Sequence, residues 1–193
     1  MKLKNILIVL AAMLIPVTGF SPNVNPQANP FTLAEMMHKQ DILQDLVQYR
    51  THYKDFKKAL SLMESTNDWR KYNPYGYIGK YQFGQDALNA TGFGSINFYD
   101  FIDNPAIFDE TQQEKAMDRL LKLNEQVLAP CIEKYVGHKL LDSITITRMG
   151  LLAAAHLGGP GNVKKFLQSE GLYNPKDRMG TRLSDYLSQF SSL

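Results

Sequence analysis

Between Thr145 and Gly161 the chain carries a segment with no face to offer water. Wound as a helix, Leu151-Leu152-Ala153-Ala154-Ala155-His156-Leu157 is apolar around nearly its whole circumference. A helix of that kind has to be surrounded by other elements. Thr145 or Thr147 can cap its start, and Gly158-Gly159-Pro160-Gly161 stops it. The rest of the fold is therefore expected to be laid around one central, buried helix.

The neighbouring segments supply the surrounding layer. Thr32 can cap a helix whose apolar positions include Leu33, Met36, Met37, Ile42, Leu43, Leu46 and Val47, and a second helix is expected from about Thr51. Gln85 to Asn89 reads as a short helical piece. Asp109 to Tyr135 reads as a long one with Met117, Leu120, Leu121, Leu123, Val127 and Leu128 as core, kinked or split at Pro130. Val163 to Leu167 and Ser184 to Phe190 close the chain as short helices. The expected class is all-α, with at most a small hairpin at Tyr77 to Phe83. The single cysteine, Cys131, allows no internal disulfide. It falls in an apolar helical pattern and reads as a small buried hydrophobe. With 44% apolar and 21% charged side chains, the 193 residues can build one domain with a sizeable core.

The first 20 residues read as an export signal. Lys2 and Lys4 precede an unbroken apolar run from Ile6 to Ile15, which Pro16 ends. That run is short for a membrane span, so a cleaved signal is expected, with no stable membrane anchor afterwards. Residues 21–31, rich in Pro and Asn, read as a flexible leader. The formal net charge is +2, and Lys2 and Lys4 are the only charged side chains before residue 34. The processed chain is thus close to neutral and shows no basic stripe with interleaved aromatics, which disfavours nucleic acid as a partner. A periplasmic or secreted monomer is the expectation. The four histidines and Cys131 lack ligand spacing, and no phosphate-cradling loop is present, so neither metal nor cofactor is expected.

The chemistry is expected where a helix ends at Met63-Glu64-Ser65. Tyr53, Phe56, Leu60 and Met63 form one apolar stripe at spacings of three and four. Glu64 sits at its edge, where a half-buried carboxyl is disfavoured in its charged form by desolvation. Such an acid can hand a proton to a departing oxygen near neutral pH. The same pattern also fits a solvent-facing Glu at a helix end. Downstream, Tyr77-Ile78-Gly79-Lys80-Tyr81-Gln82-Phe83-Gly84 is flanked by turn residues, and its glycines permit sharp turns or close approach to a ligand. Tyr72, Tyr75, Tyr77 and Tyr81, with Trp69 nearby, offer aromatic faces of the kind that stack on sugars. If the segment is extended, Tyr81 and Phe83 should split between cleft and core, with Lys80 solvated.

Three motifs in order, Glu64-Ser65, Gly79-x-x-Gln82 and an Ala-rich helix ending in Gly159-Pro160-Gly161-x-Val163, carry a resemblance. Over roughly residues 50 to 170 the chain resembles the lysozyme-like domain of soluble lytic transglycosylases and goose-type lysozymes. The resemblance implies that 32–193 is a lysozyme-like catalytic domain with a substrate cleft. Its substrate would be peptidoglycan glycan strands, cut at the β-1,4 bond between N-acetylmuramic acid and N-acetylglucosamine. It implies Glu64 as the catalytic acid, Ser65 as an orienting group, Gln82 on the cleft floor, and Gly159 and Gly161 in a turn near the sugar. His156 stands where the family commonly has Tyr, and Leu157 where it has Asn. His156 can replace the Tyr as a hydrogen-bonding group or be a core-edge His satisfied by backbone. A hydrolase wants a second carboxylate; Asp68 would lie one helical turn from Glu64 if the helix continued but reads as a solvated loop residue, and Asp86 and Asp103 lack motif context. The resemblance therefore points to a lytic transglycosylase, in which one Glu serves as acid and then base while the sugar's 6-hydroxyl closes an anhydro ring. A muramidase, a chitinase-like glycosidase and an inactive glycan-binding module are the alternatives.

Overall fold

The computed structural model describes residues 33–141 and 143–192. The expected signal and leader lie outside the described residues. The chain divides after Leu43, and the unit from Gln44 to Leu193 holds the core. In order, its elements are α1 (Leu33–Ser65, which begins in the first unit), α2 (Gln85–Thr91), α3 (Phe98–Asp103), a 3₁₀ turn (Pro105–Phe108), α4 (Glu110–Tyr135), β1 (Lys139–Leu140), β2 (Ile144–Thr145), α5 (Arg148–Gly158), α6 (Pro160–Gln168) and α7 (Leu183–Gln189). The architecture is helical, with β1 and β2 forming one antiparallel pair, Lys139 opposite Thr145 and Leu140 opposite Ile144.

Helix α5 is the centre. Thr147 caps it by accepting the Gly150 N–H at 3.0 Å. Every residue from Met149 to Ala155 is buried. Helices α4, α6 and α7 all pack on it. Gly150 is what lets α7 come so near, since a Cβ there would lie 3.1 Å from the Leu187 carbonyl. At the other end Gly159, at φ +80°, turns the chain so that Pro160 opens α6.

Four expectations about the long helices change. α1 is continuous from Leu33 to Ser65, with no second start near Thr51. Nothing in its sequence breaks it, for it contains neither Gly nor Pro. Its early apolar residues Met36, Met37, Ile42, Leu43 and Val47 are exposed, whereas Phe56 and Leu60 are buried, with Tyr53 and Met63 packed beside them. α4 runs through Pro130 unsplit. Pro130 and Gln126 both lie on its exposed face, where water can serve the carbonyl that the proline leaves without a donor. Its start is fixed by a capping box in which Asp109 and Gln112 each accept the other's backbone N–H at 2.9 Å. Leu123 and Val127 are not core and face a cleft instead. Cys131 is buried. Among the described residues no helix is long and apolar enough to cross a membrane.

Candidate active site

The end of α1 delivers Glu64 to the C-terminal helix. The Tyr186 hydroxyl, from α7, donates to Glu64 Oε1 at 2.5 Å. His156 Nε2, from α5, lies 3.7 Å from the same oxygen. The Glu64 side chain is only 8% exposed and that of His156 6%, so the pair is almost wholly enclosed by protein. Burial first, then the charge and hydrogen bond of Glu64, push the Tyr186 phenol well above its ordinary range. The phenol therefore stays protonated and acts as a fixed donor.

His156 Nε2 also sits 2.9 Å from the Tyr81 carbonyl. A carbonyl only accepts, so Nε2 carries the proton and donates. His156 Nδ1 is buried with no hydrogen-bond partner among the described residues. The ring packs edge-on against Phe83, centroids 6.4 Å apart.

Two hollows with shared lining residues open beside this group. A small cavity of about 40 Å³ is lined by Glu64, Asn73, Tyr77, Gln82, His156, Leu157, Asp177 and Met179. A cleft of about 800 Å³ shares Tyr77, Gln82, His156 and Leu157 with it. The cleft continues past Tyr75, Gly84, Phe98, Leu123, Asn124, Val127 and Gly159. Its walls mix apolar and aromatic side chains with polar and charged ones, among them Gln85, Asp86 and Arg178. Asn124, on α4, is buried, and its Nδ2 has no partner among the described residues.

The sequence-predicted site residues divide into two groups. Glu64, Tyr77, Gln82, His156 and Gly159 line the hollows. Ser65, Gly79 and Tyr81 do not, and each has a packing task instead. Ser65 is fully buried and its hydroxyl donates to the Lys80 carbonyl at 2.7 Å, tying the end of α1 to the next turn. At Gly79, φ is +79°, and a Cβ there would lie 2.5 Å from Gln113 Oε1. The close approach is thus to a protein amide and not to a ligand. The Gln113 amide accepts the Lys80 N–H at 2.6 Å and donates to the Trp69 and Phe108 carbonyls at 2.8 and 2.7 Å. Tyr81 and Phe83 are both buried, their rings edge-to-face at 5.9 Å, although Phe83 and not Tyr81 borders the cleft. The reason is local. Ile78 and Phe83 exchange backbone hydrogen bonds at 3.1 and 2.7 Å, so the segment is a tight turn in which strand alternation does not apply. Lys80 is not solvated either, for its ammonium pairs with Glu110 at 2.9 Å and Glu114 at 2.8 Å.

Gln82 lines both hollows, but its amide already serves the turn. Its nitrogen donates to the Gly79 carbonyl at 2.9 Å, and its oxygen accepts from Asn73 at 3.0 Å. Its φ of +50° is held by those bonds. Of the aromatics, Tyr75 and Tyr77 line the cleft, whereas Tyr72 and Trp69 do not. Tyr186 and Asp177 were missed by sequence reasoning, because neither lies in a recognisable motif. No family model, curated protein or solved structure matches this chain.

Proposed function

We propose that this chain cleaves the β-1,4 glycosidic bond between N-acetylmuramic acid and N-acetylglucosamine in peptidoglycan, outside the cytoplasm and as a monomer, on a lysozyme-like helical scaffold. Glu64 is the acid that protonates the departing oxygen, a step that lytic transglycosylases and muramidases share. One observation carries the reading: a carboxyl 8% exposed, hydrogen-bonded by a phenol at 2.5 Å, lines a small cavity that shares Tyr77, Gln82, His156 and Leu157 with a cleft of about 800 Å³. That surrounding excludes bulk water from the proton donor, and the Tyr186 phenol fixes its orientation. Tyr75 and Tyr77 line the cleft and offer faces for sugar rings.

Purified protein incubated with sacculi should release muropeptides, and Glu64→Gln should lower that release by about 1,000-fold, within the range of a lost general acid. Chitin oligomers assayed in parallel should be cut far more slowly. Release at the wild-type rate by Glu64→Gln would remove Glu64 from the chemistry. A wild type that binds sacculi and releases nothing would leave a glycan-binding module.

A further inference from the structure

Among the described residues that line the cleft, Arg178 is the one permanent cation and Asp86 the one carboxylate. Arg178 stands on a braced turn in the loop between α6 and α7. The turn runs from Asp177 to Gly180 and is closed by the Gly180 N–H, which donates to the Asp177 carbonyl at 3.2 Å. Behind it the Asp177 N–H donates to the Thr181 carbonyl at 2.9 Å, and Lys176 and Arg182 form an antiparallel bridge. The turn borders both hollows. Asp177 and Met179 line the small cavity with Glu64, whereas Arg178 lines the cleft.

The guanidinium is not engaged by the protein. Arg178 is exposed, and among the described residues its side chain makes no hydrogen bond, ion pair or ring contact. Its neighbour Asp177 does not neutralise it. Asp177 Oδ1 is turned back on the loop, where it accepts the backbone N–H groups of Met179 at 2.9 Å and Thr181 at 2.7 Å. A planar guanidinium left free beside a cleft suits an anionic group with two oxygens, which its fork grips through two parallel hydrogen bonds.

The rings and acetamido groups of a glycan strand are uncharged. The muramyl ring differs by its lactyl ether, which ends in a carboxylate when bare and in a stem peptide with its own carboxylates when substituted. We propose that Arg178 binds a carboxylate of this muramyl substituent and so separates peptidoglycan from uncharged glycans such as chitin. The assignment rests on the cleft being the glycan site. It needs no part in the chemistry at Glu64, because Arg178 lines the cleft and not the cavity that Glu64 lines.

Equilibrium binding to three soluble strands tests this: one bearing stem peptides, one stripped by an amidase, and one stripped and then converted to the neutral lactyl methylamide. The whole protein is used with Glu64→Gln, so that the strands stay intact. Adding Arg178→Gln should raise Kd about tenfold where a carboxylate is present, the scale of one charged hydrogen-bonded contact. Kd for the methylamide strand and for chitin oligomers should not change. A loss on the peptide-bearing strand assigns a stem carboxylate, and a loss on the stripped strand assigns the lactyl group. Arg178→Lys keeps the charge without the fork and should recover part of the loss. Arg178→Gln should melt as its parent does, since the side chain is exposed and unbonded. An unchanged Kd on both carboxylate-bearing strands, or an equal loss on the methylamide strand, would overturn the assignment and leave the Glu64 reading standing. Carboxylate-dependent binding beside a wild type that releases no muropeptides would remove the Glu64 reading and leave Arg178 in place. A protein that binds none of the strands would take both down.

Discussion

Tyr186 does for Glu64 what no neighbour in sequence can, since the two are 122 residues apart. Burial, the Glu64 charge and hydrogen bond, and the nearby Asp177 charge together keep its hydroxyl protonated far above neutrality. It therefore donates to Glu64 whichever protonation state that carboxyl adopts. Tyr186→Phe removes the donor and little volume. It should lower kcat about tenfold, equivalent to about 1.4 kcal/mol of transition-state stabilisation, and lower stability by about 1 kcal/mol. The alkaline side of the pH–rate profile should keep its shape, because the phenol does not titrate there. A pH–rate series on both proteins, with thermal melts, checks all three. Glu64 could be read from sequence because its signal is local: an apolar stripe that stops, then Ser65. His156 was legible for the same reason, as the one polar side chain in an otherwise apolar run. Tyr186 and Asp177 had no such signal, since only the packing of α7 and its preceding loop against α1 and α5 brings them near Glu64.

The turn from Ile78 to Phe83 connects the site to α4, and both of its anchors are testable. Gly79→Ala forces an alanine to φ +79° and drives its Cβ to 2.5 Å from the oxygen of the Gln113 amide, a group that makes three bonds to backbone through its oxygen and nitrogen together. Left-handed strain plus displacement of that amide should cost about 3 kcal/mol, or about 10 °C in Tm by calorimetry. The second anchor is Glu114 on α4. It pairs with Lys57 of α1 at 2.9 Å and Lys80 of the turn at 2.8 Å, and it accepts the Tyr81 hydroxyl at 2.7 Å. Burial alone would raise the Glu114 pKa, but the bonds from Lys80, Lys57 and Tyr81 outweigh it and hold it below the usual 4.5. A carboxyl depressed in the folded state adds stability above its unfolded pKa and loses it as pH falls through the folded value. Tm should therefore drop more steeply below about pH 4.5 in the wild type than in Glu114→Gln, which starts about 2 kcal/mol less stable at pH 7. Melting curves from pH 2 to 7 give the comparison. Lys80 was expected in water because its partners come from a helix 30 residues further on.

Central burial of the Leu151–Leu157 run followed from its composition, since seven residues with one polar side chain leave no wet face. The helical class followed too, down to the single small hairpin, although that pair fell at Lys139–Thr145 rather than Tyr77–Phe83. The opposite inference failed at the other end of the chain. Met36, Met37, Ile42, Leu43 and Val47 have helical spacing and are nevertheless exposed. Periodicity reports that a segment winds as a helix, and it does not report that a partner covers the stripe. Among the described residues the buried hydrophobic ones run from Phe56 to Phe190, and Glu64, its phenol, its cavity and its cleft all lie within that span. A chain beginning at Gln44 removes none of them and takes four large exposed apolar side chains away from water. Such a variant should fold with a Tm within about 3 °C of the full protein, a difference of about 1 kcal/mol, and should cut sacculi at an unchanged rate. It should also stay soluble at higher concentration, because fewer apolar side chains are left to self-associate. A fall in Tm of 10 °C or more would mean that the first turns of α1 support the core. Loss of sacculus cleavage with an unchanged melt would mean instead that those turns hold the glycan.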